Sequence, residues 1–123
     1  MKLNEDSAEP LFQQIAEIIE DMIIAGDLKE EDQVFSTNQL SETFQINPAT
    51  ARKGLNLLVD KGILYKKRGL GMFVESEAGN IIKNERQKLF FENFLLKMLK
   101  EAEKINIKKT DIIKMINEYK EEE

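Results

Sequence analysis

Thr50, Lys53 and Asn56 recur at intervals of three, with Arg52 beside them one helical turn before Asn56. A second cationic run, Lys66-Lys67-Arg68, stands directly before Gly69-Leu70-Gly71. These side chains are fixed cations and hydrogen-bonding groups, and no nucleophile with a partner base can be named among them. The chemistry open to them is non-covalent: neutralising anionic oxygens and hydrogen-bonding the edges of planar polar groups. The rest of the composition points the same way. With 0 His and 0 Cys the chain lacks the usual general base, the commonest metal ligand and any thiol or disulfide chemistry. No carboxylate spacing points to a metal site, and Gly69-Leu70-Gly71 is too short for a phosphate-binding loop. Neither a cofactor nor a metal is expected, and an enzyme is the weakest of the functional classes.

A formal net charge of -5 argues at first against a polyanionic partner. Its distribution argues for one. Residues 1–46 carry 2 basic and 11 acidic side chains, residues 47–74 carry 6 basic and 1 acidic, and residues 75–123 carry 10 basic and 11 acidic. The middle segment, net +5, is therefore the only strongly cationic part, and the local field decides where a polyanion docks.

The elements that must position these residues follow from periodicity and capping. Phe12, Ile15, Ile19, Met22 and Ile23 form one apolar stripe of a first helix, about 8–25, closed by Gly26. After a polar loop, Ser36 and Gln39 make a capping box for a second helix that carries Leu40 and Phe44. Asn47 then caps a third helix with Pro48 at its first position; Ala51, Leu55, Leu58 and Val59 supply its buried face, and Gly62 ends it. Ile63-Leu64-Tyr65 reads as a strand, Arg68-Gly69-Leu70-Gly71 as a turn and Met72-Phe73-Val74 as the return strand, a ribbon with a basic tip. A linker over Ser76 to Asn80 leads to two helices, about 82–104 and 109–121, before a terminal acidic run, Glu121-Glu122-Glu123, expected to fray.

Two short helices joined by a tight turn, the later one polar and basic on one face, form a helix-turn-helix whose later helix fits the major groove of double-stranded DNA. On this reading Ala49, Thr50, Arg52, Lys53 and Asn56 reach the DNA: Arg52 a guanine edge or a phosphate, Lys53 a phosphate, Thr50 a phosphate or a thymine methyl. Lys66 and Arg68 would bring the ribbon, over 64–74, onto the adjacent backbone or minor groove. The competing class is a winged-helix adaptor that binds another protein through its acidic first helix or aromatic tail.

Residues 34–74, from Val34-Phe35-Ser36-Thr37 through Asn47-Pro48-Ala49-Thr50-Ala51-Arg52-Lys53 to Arg68-Gly69-Leu70-Gly71-Met72-Phe73-Val74, resemble the DNA-binding domain of the GntR superfamily. Pro10-Leu11-Phe12-Gln13-Gln14-Ile15, Gly26-Asp27-Leu28 and the short helical tail resemble its YtrA-type subfamily. The resemblance implies a dimeric, repressor-like transcription regulator on a near-palindromic operator. Position by position it implies DNA contacts at Asn38 in the second helix, at Asn47, Pro48, Thr50 and Arg52 around the recognition helix of about 48–61, and at Arg68 and Gly69 in the wing. Three positions depart from the pattern: Phe35 replaces a usual Pro, Asn38 an Arg that contacts DNA in many members, and Gln45 a Gly, which implies a mildly strained turn.

The expected fold is mainly α with a small β-hairpin: a winged helix-turn-helix domain over 1–75, followed by a short two-helix C-terminal dimerisation tail over 80–123. Phe90, Phe91, Phe94, Leu95 and Met98 give the tail more apolar breadth than one short partner helix covers, which favours a homodimer over a self-contained helical hairpin. Two helices of this length are not expected to enclose a small-molecule effector pocket, commonly about 300 Å³ or more, without a dimer partner. No apolar run approaches the roughly 18 residues of a membrane span and the opening residues lack a signal-peptide core, so a cytoplasmic protein without membrane partners is expected.

Overall fold

The computed structural model describes residues 2–121. Met1, Glu122 and Glu123, the last two belonging to the acidic run expected to fray, lie outside the described residues. The elements run α1 (Leu11–Ala25), α2 (Thr37–Phe44), α3 (Pro48–Asp60), β1 (Leu64–Lys67), β2 (Gly71–Val74), α4 (Ala78–Phe90), a π-helical turn (Phe91–Leu95), α5 (Leu96–Lys104) and α6 (Lys109–Glu118). They divide into two compact units, Met1–Asn84 and Glu85–Glu123. No helix among the described residues is long and apolar enough to cross a membrane.

Local chemistry sets most boundaries in the first unit. Helix α1 begins at Leu11 and not at about residue 8 as expected, because Pro10 disfavours helical backbone at Glu9 and itself sits in an extended conformation at the N-cap. The arm before it is tied down instead: the buried Gln14 side chain accepts from the Asn4 amide at 2.7 Å and donates to the Asn4 and Glu9 carbonyls at 2.9 Å each. Helix α2 has the expected capping box, with the Gln39 amide donating to Ser36 Oγ at 3.0 Å and the Ser36 amide donating to Gln39 Oε1 at 2.8 Å. It ends at Gln45, whose left-handed backbone (φ 55, ψ 50) is the strained turn that the missing glycine implied; its side chain donates to the Glu42 carbonyl at 2.9 Å.

Helix α3 starts where Asn47 Oδ1 accepts from the Ala49 amide at 2.8 Å, with Pro48 at the first position. Its inner face, Ala51, Leu55 and Leu58, packs with Ile15 and Ile19 of α1 and with Leu40, Ile63, Leu64 and Val74 in one core; Val59 lies half-buried at its edge. Ala78 and Ile82, four residues apart on α4, complete that core, so the segment read as a linker from Ser76 to Asn80 is already helical from Ala78. Gly79 is carried within the helix. At the far end of α3, Lys61 Nζ lies 3.5 Å from a carboxylate oxygen of the buried Glu20 on α1.

The hairpin is antiparallel, with Leu64 opposite Val74 and Lys67 opposite Gly71. Its first strand is set further along than the apolar run Ile63-Leu64-Tyr65 indicates. Ile63 is fully buried at the base, whereas Lys66 and Lys67 lie within β1 and only Arg68, Gly69 and Leu70 form the tip. Backbone from Glu31 to Val34 runs along the free edge of β2, with the Val34 amide donating to the Met72 carbonyl at 2.8 Å and the Val74 amide to the Asp32 carbonyl at 3.0 Å. The loop before α2 therefore stiffens the ribbon.

In the second unit the π-helical turn adds a residue to one helical turn and shifts the phase of everything after it. The Phe90 and Phe94 rings meet there with centroids 5.6 Å apart. Ala102 on α5 and Ile112 on α6 are buried in this unit, whereas Phe90, Phe91, Phe94 and Met98 are exposed and Leu95 is half-buried. Beside that contact lies an open concavity of about 430 Å³, walled by Met98, Ile105, Ile116 and Tyr119 among others. It is an open groove and not an enclosed pocket.

Candidate nucleic-acid interface

Three elements converge on one face of the first unit. The capped N-terminus of α2, the outer face of α3 and the hairpin surround a concavity of about 450 Å³. Asn38 comes from α2, Arg52 and Asn56 from α3 and Lys66 from β1, so four of the residues picked out from sequence line the same groove. All four are exposed. Fixing them is local work: the capping box orients Asn38, and the Asn47 cap with Pro48 starts α3 at the residue that sets the phase of Arg52 and Asn56.

The remaining picks are distributed around this groove. Ala49, Lys53, Arg52 and Asn56 border a second, shallower depression of about 300 Å³ on the α1 side of α3. Asn47, Pro48 and Ala49 are exposed at the N-terminus of α3, where free amides and the helix dipole favour an anion; Thr50 beside them is half-buried. Asn47 spends its side-chain oxygen on the cap, so only its amide nitrogen is left for a partner. Arg68 and Gly69 stand exposed at the hairpin tip, outside both concavities.

Two cations have aromatic partners that the sequence did not reveal. Lys53 Nζ lies 4.1 Å from the centroid of the Phe12 ring, which holds it against α1. Lys67 lies 4.3 Å from the Phe73 ring centroid and 5.7 Å from that of Tyr65, on the opposite face of the ribbon from Lys66. Alternation along β1 thus gives Lys66 to the groove and Lys67 to the aromatic face, the one member of the basic run not picked out as a contact. Tyr65 donates its hydroxyl to Glu31, and its phenol is pushed up to about 12, first by that hydrogen bond, then by desolvation and the negative charge of Glu31 and Glu75. It is therefore a protonated donor at neutral pH.

Sequence reasoning missed Gln33, which lines the groove from the edge strand, and Leu70, an apolar residue 64% exposed at the wing tip. Leu70 stood in plain view between two glycines. Gln33 offered no local signal.

The order of these elements and the groove between them match a known protein family. The family model for bacterial regulatory proteins of the gntR family covers residues 11–74, from the first residue of α1 to the last of β2. The chain belongs to the GntR family. Among its relatives, the HTH-type transcriptional repressor NagR of Bacillus subtilis is 35% identical over 74 residues, which is 60% of this chain and 30% of NagR. The chain thus spans about a third of the length of the first such relatives it matches. Within the family it is of the YtrA type: the HTH-type transcriptional repressor YtrA of Bacillus subtilis is 26% identical over 78 residues, 63% of this chain and 60% of YtrA. A GntR family transcriptional regulator from Listeria monocytogenes superposes with a TM-score of 0.74 at 26% identity over 94% of this chain and 99% of its own. AraR(DBD) in complex with operator ORE1 superposes with a TM-score of 0.53 at 30% identity over 58% of this chain and 88% of its own. The expected fold, a winged helix-turn-helix followed by C-terminal helices, is the one found.

Proposed function

We propose that this regulator binds a near-palindromic DNA operator as a homodimer and represses transcription, with α3 in the major groove and the hairpin on the adjacent backbone or minor groove. The observation that carries the reading is the groove itself: Asn38, Arg52, Asn56 and Lys66 meet there from three elements, the last three belonging to the one strongly cationic segment of an acidic chain. A solvated basic helix face would not require the cap, the turn and the ribbon to converge on it. The operator complex of AraR(DBD) supports operator binding, and the names of NagR and YtrA support repression over activation.

The division of labour follows from chemistry. Arg52 offers the fork of donors that matches a guanine edge, Asn56 and Asn38 offer paired donor and acceptor groups, and Lys53, Lys66 and Arg68 neutralise phosphates. The free amides after Asn47 hold a phosphate at the start of α3. Homodimerisation is assigned to the tail through Phe90, Phe91, Phe94, Leu95 and Met98. Its support is that α5 and α6 bury Ala102 and Ile112 and leave the phenylalanines exposed, which a self-contained hairpin would not do. Such a tail would hold two recognition helices one turn of DNA apart, roughly 34 to 36 Å. A small-molecule effector, if one acts, would find its volume in the tail groove walled by Met98, Ile105, Ile116 and Tyr119.

Titration of the protein onto a duplex from immediately upstream of its own coding sequence, at several salt concentrations, tests the electrostatic part. Four cations per protomer, Arg52, Lys53, Lys66 and Arg68, cap the slope of log K against log salt at about -7 for a dimer, and a slope of several units is expected. Binding that is indifferent to salt would rule out the phosphate contacts and return the adaptor reading to favour.

A further inference from the structure

Gly69 lies in the wing tip and Gly71 directly after it, at the start of β2. Their surroundings differ. A side chain at Gly69 would meet nothing within 4 Å, so that position is open to a partner. A Cβ at Gly71 would lie 2.8 Å from Nε2 of Gln33. Gly71, at φ 118, is exposed, and the space a side chain there would need is taken by the Gln33 side chain.

Gln33 comes from the edge strand before α2, 37 residues from the tip it touches. Its backbone pairs with Phe73 of β2, which fixes where its side chain starts. Its Nε2 donates to the Leu70 carbonyl at 2.7 Å, a carbonyl at the turn itself. The Leu70 carbonyl, two residues from Arg68, is thereby tied to the segment leading directly into the capped helix α2. A two-stranded ribbon is a weak structure on its own, and its tip is where it would splay.

We propose that Gln33 is the positioning residue of the wing: it latches the Leu70 carbonyl and so sets the angle at which Arg68 meets the DNA backbone. This rests on the proposed DNA-binding function, and the latch acts through Arg68 without touching DNA itself. The predicted signature is therefore coupling between the two positions.

The test is a double-mutant cycle on the full chain, with the upstream duplex as probe and a shuffled duplex of equal length as control. Gln33→Met keeps the side chain's length and neutrality and removes the donor. It should weaken binding about fivefold, the size of one ordinary hydrogen bond, while leaving the thermal midpoint unchanged. In an Arg68→Ala background the same substitution should cost nothing further. An equal loss in both backgrounds would make Gln33 a direct contact or a general stabiliser and overturn the proposal, as would no loss in either. Failure of the unsubstituted protein to prefer its duplex over the shuffled one would instead overturn the proposed function, so the two failures are distinguishable.

Discussion

Arg52→Ala should weaken specific DNA binding by about 1 to 3 kcal/mol, roughly 5- to 150-fold, and leave the folding midpoint where it is. The expectation follows from position. Arg52 is exposed, so removing it exposes no core, and it is the one cation that lines both concavities along α3. Lys53 on the neighbouring position is drawn over Phe12, and Lys66 approaches from the ribbon. Arg52 therefore has no substitute of the same geometry, and a lysine could not reproduce its planar fork. The measurement is competitive binding between the specific and a shuffled duplex. Loss of affinity for both to the same degree identifies a phosphate contact, whereas loss confined to the specific duplex identifies base readout. An unchanged affinity for both would remove Arg52 from the interface.

Gly54→Val should destabilise the first unit by about 3 kcal/mol, at the upper end of what overpacking commonly costs. Helices α1 and α3 cross closely at this residue. A Cβ there would lie 2.9 Å from the Phe12 carbonyl oxygen, 3.0 Å from Ile15 Cγ2 and 3.2 Å from Ile15 Cβ. The nearest of these is backbone and the last is the root of a β-branched side chain, so rotamer changes cannot relieve the contact and the helices must separate. Valine's better helix propensity returns less than about 1 kcal/mol, too little to reverse the sign. Small domains have only about 5 to 15 kcal/mol in total, so a denaturant melt reads the change easily. A midpoint equal to that of the unsubstituted protein would mean that the two helices are not held at this crossing. Because Phe12 lies at the same place, the substitution should also loosen the seat of Lys53.

What was legible in the sequence was local. Ser36 with Gln39 and Asn47 with Pro48 each depend on residues within four positions of one another, and each is found as read; the strained turn at Gln45 was implied only by the family resemblance. The core stripe of α3 was legible for the same reason, since periodicity reports a face. What was missed depends on distant pairs or on a change of period. Gln33 meets the wing across 37 residues, and Lys53 meets Phe12 only because Gly54 lets α1 approach α3. The ribbon was placed early because its apolar run begins at Ile63, which serves the core and not the strand. In the tail, the π-helical turn at Phe91–Leu95 breaks the 3.6-residue repeat, and no single stripe could be followed from Phe90 to Met98.

Chemistry and charge distribution were the better guides to function. Net charge pointed away from DNA, yet the cations of residues 47–74 fall on the elements that build the groove, apart from Lys61 beside Glu20 and Lys67 on the aromatic face. The acidic surroundings carry a physical consequence of their own: they repel DNA elsewhere on the molecule and so favour a single docking orientation.

The most direct measurement is selection of genomic DNA fragments on the purified full chain, followed by sequencing of what is retained. The proposed homodimer, with two recognition helices held by a common tail, should retain fragments that share a two-fold palindrome, with half-site centres roughly 10 to 10.5 base pairs apart or a multiple of that spacing. Fragments with no shared motif, or with one unpaired half-site, would contradict the account.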